Sequence, residues 1–432
     1  MYPLKRLVTS GFETVGAAGV FGLLVLFGLY EGVQQTVLSV ELLWLSLEVV
    51  WLDAAATSLV FLAFVVISGG LLLREVWTPP TNVLTREEGP TLTAIVPVYR
   101  DGGVLHRSVE SLKNADYANL EIVVACEPDD TETKAAAAEL AGGPVSVIEN
   151  RDPGSKAGAI QTVVEASNAD SFAVFDADEI VDESFLSAGM GALCDEGYDV
   201  FQGRRIPEPT GFVEALAYCE RVLFHASYKI VEPTGFQNCR SSSTLFTREA
   251  FEAVDGYDDL LTEDLAFAHK AFRHGLDVRQ ARNYTNLMEA PHTLADFWGQ
   301  RKRWRIGQVE VLDATLRGRL TDGPLYRRAL SLGRMTTSLM GSVLTVVVLA
   351  KWLVLVVADA ALFYLLPIAA VAVLAMGVGL ADRQAGSIDS LVPITLCATF
   401  VYPIFGLLSI KSLLEYVVSW DGTWYHVEKT GS

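Results

Sequence analysis

Long apolar runs stand at both ends of this 432-residue chain, and a charged segment between residues 74 and 334 separates them. A transmembrane helix needs about 20 consecutive apolar residues to cross a bilayer. Runs that meet or approach this length predict five spans, at residues 15–30, 54–73, 336–357, 360–380 and 391–410. We therefore expect an N-terminal membrane block (1–75), a water-exposed domain (76–335) and a C-terminal membrane block with a polar tail (336–432).

The distribution of basic residues predicts the orientation of these blocks. Lys5 and Arg6 precede the first span and Arg74 follows the second, whereas residues 31–53 contain no Lys or Arg. The positive-inside rule then places the domain in the cytoplasm of a multi-pass plasma-membrane protein. A cleaved signal peptide is the alternative for the first run, but no small-residue cleavage site follows it. Five spans would put the C-terminus outside, whereas the polar tail suits the inside, so its side stays open.

The charge balance excludes one class of partner. The chain has 33 Lys and Arg against 52 Asp and Glu, which gives a net charge of −19. Nucleic-acid binding needs a basic face, so no nucleic-acid partner is expected. The five cysteines contain no C-x-x-C pair, which disfavours a zinc site or a disulfide framework.

Short β-branched or aromatic runs alternate with helical patterns in the charged segment. The runs lie at residues 92–98, 121–126, 145–148 and 172–175, and the helical patterns at 104–114, 131–141 and 156–167. Strands that alternate with helices indicate parallel pairing through crossover connections. The predicted fold is therefore α/β, a Rossmann-like, mostly parallel, doubly wound sheet flanked by transmembrane helices.

An acidic pair follows the fourth of these runs. Residues 172–175 form a continuous apolar stretch, typical of a strand buried on both faces, and Asp176 and Asp178 come directly after it. Ligands of open α/β sheets bind beyond the carboxyl ends of the strands. Two carboxylates at i and i+2 there can bind Mg²⁺ together with substrate phosphates. A solvated acidic turn is the alternative that this motif alone leaves open.

Other polar residues fall at neighbouring strand ends. Pro97 and Tyr99 end the first run, where an aromatic ring could meet a nucleotide base, and Glu127 follows the second. Lys156 and Gly158 open a helix after a glycine-containing loop, an arrangement that suits phosphate binding. An ordinary turn is the alternative for this loop.

Two further motifs lie downstream. Glu263 and Asp264 open a helical pattern that ends at residue 274, and Thr262 precedes them as a possible cap. Simple helix-end electrostatics is the alternative role for these two acids. Gln300, Arg303 and Trp304, at i, i+3 and i+4, share one helix face. We expect this helix to lie at the membrane interface as well, with Trp304 on its inner face.

These motifs together resemble the family-2 inverting glycosyltransferases, which have the GT-A fold. The resemblance rests on five motifs in the same order: Pro97-Val-Tyr99, Lys156-Ala-Gly158-Ala, Asp176-Ala-Asp178, Thr262-Glu263-Asp264 and Gln300-Arg-Lys-Arg303-Trp304. The last is similar to the Q-x-x-R-W signature of membrane-embedded members such as cellulose, chitin and hyaluronan synthases.

The resemblance implies a role for each motif. Asp264 would be the catalytic base with Glu263 in support, and Asp176 and Asp178 would hold Mg²⁺ or Mn²⁺. Trp304 and Asp264 would contact the acceptor. The implied donor-binding residues are Pro97, Tyr99, Glu127, Lys156, Gly158, Asp176, Gln300 and Arg303.

The implied enzyme is a hexosyltransferase that uses a nucleotide-diphosphate sugar, with a UDP-sugar as the expected donor. Its acceptor would be a growing β-linked polysaccharide that the enzyme elongates processively and exports. A single addition to a lipid carrier or glycolipid, and an inactive membrane-anchored scaffold, are the alternatives. Residues 126–130 depart from the Asp-Asp-x-Ser type sequence of relatives, and no clear gating-loop motif is present. The tail at 420–430 could take that loop's place or be a plain amphipathic tail.

Overall fold

The computed structural model describes residues 38–42, 45–49, 51–78, 84–320, 322–357, 359–391, 394, 397–418, 425–427 and 429. The predicted span at 15–30 lies outside these residues. Before the second predicted span, strands β1 (Leu38–Leu42) and β2 (Leu45–Val49) pair antiparallel in a two-stranded sheet.

Seven further strands form one mixed sheet, which confirms the predicted α/β architecture. They are β3 (Leu92–Val98), β4 (Leu120–Cys126), β5 (Val145–Glu149), β6 (Ser171–Val174), β7 (Val200–Pro207), β8 (Thr244–Thr247) and β9 (Val278–Met288). Their order is β5-β4-β3-β6-β8-β7-β9. Only β8 runs antiparallel to its neighbours β6 and β7, so the sheet is mostly parallel.

Helices connect these strands and continue into the predicted membrane blocks. They are α1 (Trp51–Trp77), α2 (Leu105–Lys113), α3 (Thr131–Leu140), α4 (Lys156–Ala166), α5 (Phe185–Met190), α6 (Phe212–Lys229), α7 (Arg248–Ala253), α8 (Glu263–His274), α9 (Leu294–Leu316), α10 (Leu325–Val357), α11 (Ala361–Gln384) and α12 (Val401–Val418). A π-helical turn, Gly191–Asp195, extends α5.

Strand β6 lies between two hydrophobic cores. Successive side chains of a strand point to opposite faces of the sheet. Accordingly, Phe172 and Val174 pack into the core on one face, while Ala173 and Phe175 pack into the core on the other. This two-sided burial fixes the end of the strand, so the position of Asp176 directly after it is well defined.

Four helices in the described part of the chain are long and apolar enough to cross a membrane: Asp53–Trp77, Leu325–Leu353, Ala361–Gln384 and Ala398–Val418. They correspond to the predicted spans at 54–73, 336–357, 360–380 and 391–410. Lys351, a charge inside one of these helices, is ion-paired with Asp53 and donates to Thr57 Oγ1 at 2.9 Å. The pairing explains how this charge is accommodated between apolar helices.

Buried polar contacts join these apolar helices to the sheet. Arg204 of β7 forms an ion pair with Asp382 of α11, and the Tyr218 hydroxyl donates to the same carboxylate at 2.5 Å. Glu75, near the end of α1, pairs with Arg282 of β9 at 3.1 Å. These contacts hold the sheet in a fixed relation to the apolar helices.

Candidate active site

One cavity of about 1840 Å³ lies beyond the carboxyl ends of β3, β4 and β6. It brings together nearly all the residues that the sequence predicts for the site. The predicted residues that line it are Pro97, Tyr99, Glu127, Lys156, Asp176, Asp178, Glu263, Asp264, Gln300, Arg303 and Trp304. Gly158 is the predicted residue that does not line it.

Asp176 is held between two cations. Lys156 Nζ lies 2.5 Å from Asp176 Oδ1, and Arg205 Nη1 lies 2.5 Å from Asp176 Oδ2. Burial alone would raise the pKa of Asp176, but the charges of Lys156, Arg205 and Lys429 outweigh burial and hold it well below its ordinary value. This carboxylate therefore stays ionised across the physiological range.

Glu179 forms hydrogen bonds that position Asp176. Its Oε2 accepts the Asp176 backbone N–H at 3.1 Å, and its Oε1 accepts Asn286 Nδ2 at 3.1 Å. Burial, together with the charge of Asp176, raises the pKa of Glu179 to about 8. Glu179 is therefore largely neutral at neutral pH, and its hydrogen bonds fix the backbone at Asp176 without adding a negative charge.

The C-terminal tail reaches Asp178. Lys429 Nζ lies 2.8 Å from Asp178 Oδ1 and 3.2 Å from Asp101 Oδ2. Farther up the tail, the Tyr425 hydroxyl donates to Asp296 Oδ1 at 3.1 Å. The Tyr425 ring also packs on Gly299, where an added Cβ would lie 2.5 Å from the ring. The tail thus occupies the side of the cavity where the acidic residues meet.

The donor set fits a hard divalent cation that is shared with a substrate. Asp176 and Asp178 line the cavity, and Asp101 Oδ1 is a buried carboxylate oxygen with no hydrogen-bond partner among the described residues. No group of three His, Cys, Asp or Glu among the described residues is placed to hold a metal alone. One or two carboxylates, completed by phosphate oxygens and water, is the usual arrangement for Mg²⁺.

Gly158 serves the packing of the Lys156 loop. An added Cβ at Gly158 would lie 2.5 Å from the carbonyl oxygen of Asp152, so only glycine fits there. Ser155 caps α4 by accepting the Gly158 N–H at 3.2 Å. Glu127 accepts from Asn150 Nδ2 and from the Gly154 N–H, each at 2.7 Å, so both of its oxygens hold this loop.

The acidic pair Glu263–Asp264 opens α8 and is buried. Ser241 Oγ donates to Glu263 Oε1 at 2.7 Å, and the Leu265 N–H donates to Asp264 Oδ1 at 2.8 Å. Burial raises the pKa of Asp264, although Arg205 and Lys156 oppose the shift. Burial and the neighbouring Asp264 raise the pKa of Glu263.

Thr262 does not cap α8, which corrects the expectation from the sequence. Its side chain makes no capping hydrogen bond, and its Oγ1 has no hydrogen-bond partner among the described residues. The physical reason is packing: Thr262 Cγ2 would lie 2.6 Å from a Cβ added at Gly307 of α9. This close approach of α8 and α9 sets the acidic pair beside the face of α9 that carries Arg303.

Helix α9 presents the predicted face to the cavity. Gln300, Arg303 and Trp304 all line it, whereas Arg301 points away and pairs with the buried Glu220, with Arg301 Nε at 2.6 Å from Glu220 Oε2. The Trp304 ring lies 4.7 Å from the Arg301 guanidinium and 5.4 Å from that of Arg221. Trp304 therefore keeps a fixed orientation in the wall.

Arg205 and Lys429 are site residues that the sequence analysis missed. Arg205 lies within a strand that is buried throughout, and buried charges need partners. Two consecutive arginines in the apolar run at 200–207 were the available signal. Lys429 carried no comparable signal, because its contact with Asp178 joins residues that are far apart in the sequence.

The sequence matches a known family over part of its length. Residues 93–255 match the profile described as Glycosyl transferase family 2. A probable glycosyltransferase of Sulfolobus acidocaldarius is 26% identical over 244 residues, which are 52% of this chain and 51% of that protein. The chain thus spans about half the length of this curated relative.

Solved structures also resemble this one. The mannosyltransferase PcManGT from Pyrobaculum calidifontis, in complex with GDP-Man and Mn²⁺, superposes with a TM-score of 0.51 at 16% identity, over 85% of this chain and 100% of that one. TarS 1–349 from S. aureus, in complex with UDP-GlcNAc, gives 0.42 at 10% identity, over 75% and 92%. Residues 93–255 therefore match a family-2 glycosyltransferase profile, and the fold of the chain resembles that of PcManGT.

Proposed function

We propose that this chain, whose residues 93–255 match the family-2 glycosyltransferase profile, is a membrane-integrated, inverting glycosyltransferase. It transfers a hexosyl group from a nucleotide-diphosphate sugar to an acceptor. The observation that carries the proposal is the single cavity in which Asp176, Asp178 and Lys156 accompany the acidic pair Glu263–Asp264. The first three suit a diphosphate with its cation, and the acidic pair suits proton removal from an acceptor.

The donor binds through its diphosphate. Transfer leaves negative charge on the departing diphosphate, so catalysis needs fixed positive charge there. Lys156 and Arg303 supply it, and Gln300 orients the leaving group. Mg²⁺ or Mn²⁺ held by Asp176 and Asp178 would supply Lewis-acid stabilisation of the same charge. PcManGT is complexed with Mn²⁺ and GDP-Man, which supports a divalent cation and a nucleotide-sugar donor here.

The nucleotide of the donor binds at the carboxyl ends of β3 and β4. Tyr99 and Pro97 contact the base, and Glu127 acts by holding the loop before Lys156. The resemblance described above favours a UDP-sugar among nucleotide donors.

Asp264 acts as the general base. Burial raises its pKa, and a base whose pKa approaches the operating pH removes a proton more effectively. The acceptor oxygen forms the new bond to the anomeric carbon while the bond to the diphosphate breaks, and Asp264 takes the proton. A single displacement of this kind inverts the anomeric configuration. Glu263 supports the base through its contact with Ser241.

The lining of the cavity favours a lipid-borne acceptor. The cavity continues between the membrane helices, where Phe61, Phe64, Leu344 and Val348 line it. These side chains offer no hydrogen bonds to sugar hydroxyls, whereas they suit a hydrocarbon chain. A growing β-linked polysaccharide, elongated processively and exported, is the second candidate, because of the Q-x-x-R-W face that Trp304 completes.

The proposed enzyme is a multi-pass protein of the plasma membrane. Residues 1–75 and 336–432 are its membrane blocks, and residues 76–335 are its catalytic domain on the cytoplasmic side. This arrangement rests on the four apolar helices and on the basic residues that flank the spans.

Product analysis tests the proposal. Purified full-length chain in lipid is supplied with Mn²⁺ and a panel of radiolabelled nucleotide sugars, and Asp264→Asn protein serves as the blank. Label that enters the organic phase at one sugar per lipid supports the lipid-borne acceptor. Long water-soluble product supports the polysaccharide instead. If every nucleotide sugar stays intact and unbound, the chain is not a glycosyltransferase of this kind.

A further inference from the structure

Arginines buried in the described part of the chain fall into two groups. Seven are buried: Arg204, Arg205, Arg221, Arg240, Arg273, Arg282 and Arg301. Five of these form ion pairs with carboxylates: Arg204, Arg205, Arg273, Arg282 and Arg301. Arg221 and Arg240 form no ion pair with any described residue, although their exposed fractions are only 8% and 7%. These two differ from the rest, and both line the active-site cavity.

Both arginines lie near His225 in the cavity wall. Arg221 and His225 are one turn apart on α6, and Arg240 Nη2 lies 3.3 Å from His225 Nε2. Burial and nearby arginines hold the pKa of His225 well below its ordinary value, so His225 is neutral and does not compensate Arg240. Burial and the charge of Arg205 lower the pKa of Arg221 to about 10. Two positive charges therefore line the cavity without an ion pair to any described residue. Glu220 and Asp264 interact with Arg221 only from beyond ion-pairing distance.

A shortage of acids does not explain this arrangement, because the chain carries 52 Asp and Glu against 33 Lys and Arg. An unpaired buried charge costs several kcal/mol in real proteins. A guanidinium matches a phosphate through two parallel hydrogen bonds. The two charges are thus suited to an anion that is absent from the chain itself.

We propose that Arg221 and Arg240 bind the phosphate group of a lipid acceptor. The inference rests on the proposed function and narrows the acceptor class within it. A phosphate monoester carries a charge of about −1.5 to −2 at neutral pH, which two arginines match. The same wall continues along α6 to Phe224, whose ring lies 5.1 Å from that of Phe405 in α12. A hydrocarbon chain attached to the phosphate can therefore extend from the arginines along apolar helices.

Neither the donor nor a polysaccharide acceptor accounts for the charges of Arg221 and Arg240 as well as a lipid phosphate does. The donor diphosphate is expected at Lys156 and the Asp176–Asp178 pair, which have their own compensating charges. A neutral polysaccharide end carries hydroxyl groups only, so both arginines would stay uncompensated when it binds. An acidic oligosaccharide would supply a charge, but the apolar residues beyond Phe224 offer its hydroxyls no hydrogen bonds.

Binding of a polyisoprenyl monophosphate to the full chain in uncharged detergent tests the site. We expect saturable binding, much weaker binding of the matching alcohol, and no displacement by millimolar inorganic phosphate. Arg221→Gln and Arg240→Gln should each weaken lipid-phosphate binding by about tenfold to one-hundredfold, the range expected for one lost charge-assisted pair. Arg319→Gln, which removes an exposed arginine outside the cavity, should leave this binding unchanged.

Two controls keep the outcomes distinguishable. Arg221→Gln should melt close to the wild type, because Arg221 forms no ion pair with any described residue and loses only its contact with the Trp304 ring. Weaker binding at an unchanged melting temperature cannot be attributed to unfolding. Nucleotide-sugar binding with Mn²⁺ is measured in parallel. If the wild type does not bind a nucleotide sugar, the proposed function is wrong. If Arg221→Gln still binds the nucleotide sugar, then the lipid-phosphate site is distinct from the donor site. Equal binding of alcohol and phosphate, displacement by free phosphate, or preferential binding of an oligo-glucuronide overturns the inference.

Discussion

At the residue scale, the candidate site depends on how buried charges are balanced. Asp176 is kept ionised by Lys156 and Arg205, whereas the pKa of Asp264 is raised by burial. Two carboxylates in one cavity therefore have opposite protonation tendencies. Such a separation is typical of sites where one acid binds charge and another moves a proton.

Asp264→Asn should abolish transfer and leave donor binding nearly intact. Loss of a general base lowers kcat by about 10²- to 10⁴-fold. Since the base works only when deprotonated and its pKa is raised, wild-type kcat should fall as the pH is lowered through that raised pKa. This acidic limb should be missing from any residual activity of the variant. The measurement is kcat against pH, with nucleotide-sugar binding measured separately.

Asp389→Asn is the matched control, because it removes an exposed acid outside the cavity. Its pH profile should equal that of the wild type. Equal loss of donor binding and transfer in Asp264→Asn would show instead that Asp264 has a structural role.

Lys429→Met should lower the Mn²⁺ concentration that gives half-maximal activity. The Lys429 ammonium lies against Asp178 and Asp101, where it competes with a cation for the same oxygens. Removal of this competitor frees the carboxylates. Lys411→Met, which removes an exposed lysine paired with Glu415 in α12, is the control. An unchanged Mn²⁺ midpoint in Lys429→Met would contradict the competition.

At the scale of elements, local pattern predicted most of the fold. The strands at 92–98 and 145–148 and the helix at 131–141 were predicted to within about one residue, because hydrophobic periodicity and caps are local signals. The contacts of Arg205 and Lys429 were not predictable in this way. Asp176 is 29 positions from Arg205 and Asp178 is 251 from Lys429. Only the folded chain brings such residues together.

Asp382→Asn should destabilise the join between α11 and the sheet. Arg204 would then be a buried charge without its partner, and breaking a buried pair costs about 3–5 kcal/mol. The melting temperature in detergent measures the effect. The double variant Arg204→Met/Asp382→Leu, which removes both charges, should recover most of the loss. If the double variant is as unstable as the single one, then the join depends on packing and not on charge balance.

At the scale of the whole molecule, contacts of the tail constrain the membrane topology. Lys429 contacts Asp178, so in the proposed membrane protein the tail would lie on the same side of the membrane as the sheet. Three apolar helices separate them, and an odd number of crossings cannot connect two points on one side. Helix α12 need not cross the membrane, because residues at both of its ends form hydrogen bonds with helices that pack on the sheet. Cys397, just before it, donates to the Phe212 carbonyl, and Tyr416 donates to Asp313 of α9.

We therefore expect α10 and α11 to cross the membrane and α12 to return to the side from which it starts. Single cysteines test this in a Cys194→Ser background, because Cys194 is the exposed cysteine of the described residues. An impermeant maleimide should label Asp359→Cys, between α10 and α11, only from outside. It should label Asp389→Cys and Ser432→Cys only in inside-out vesicles. If Ser432→Cys were labelled from the same side as Asp359→Cys, α12 would cross the membrane, and the contact between Lys429 and Asp178 could not form.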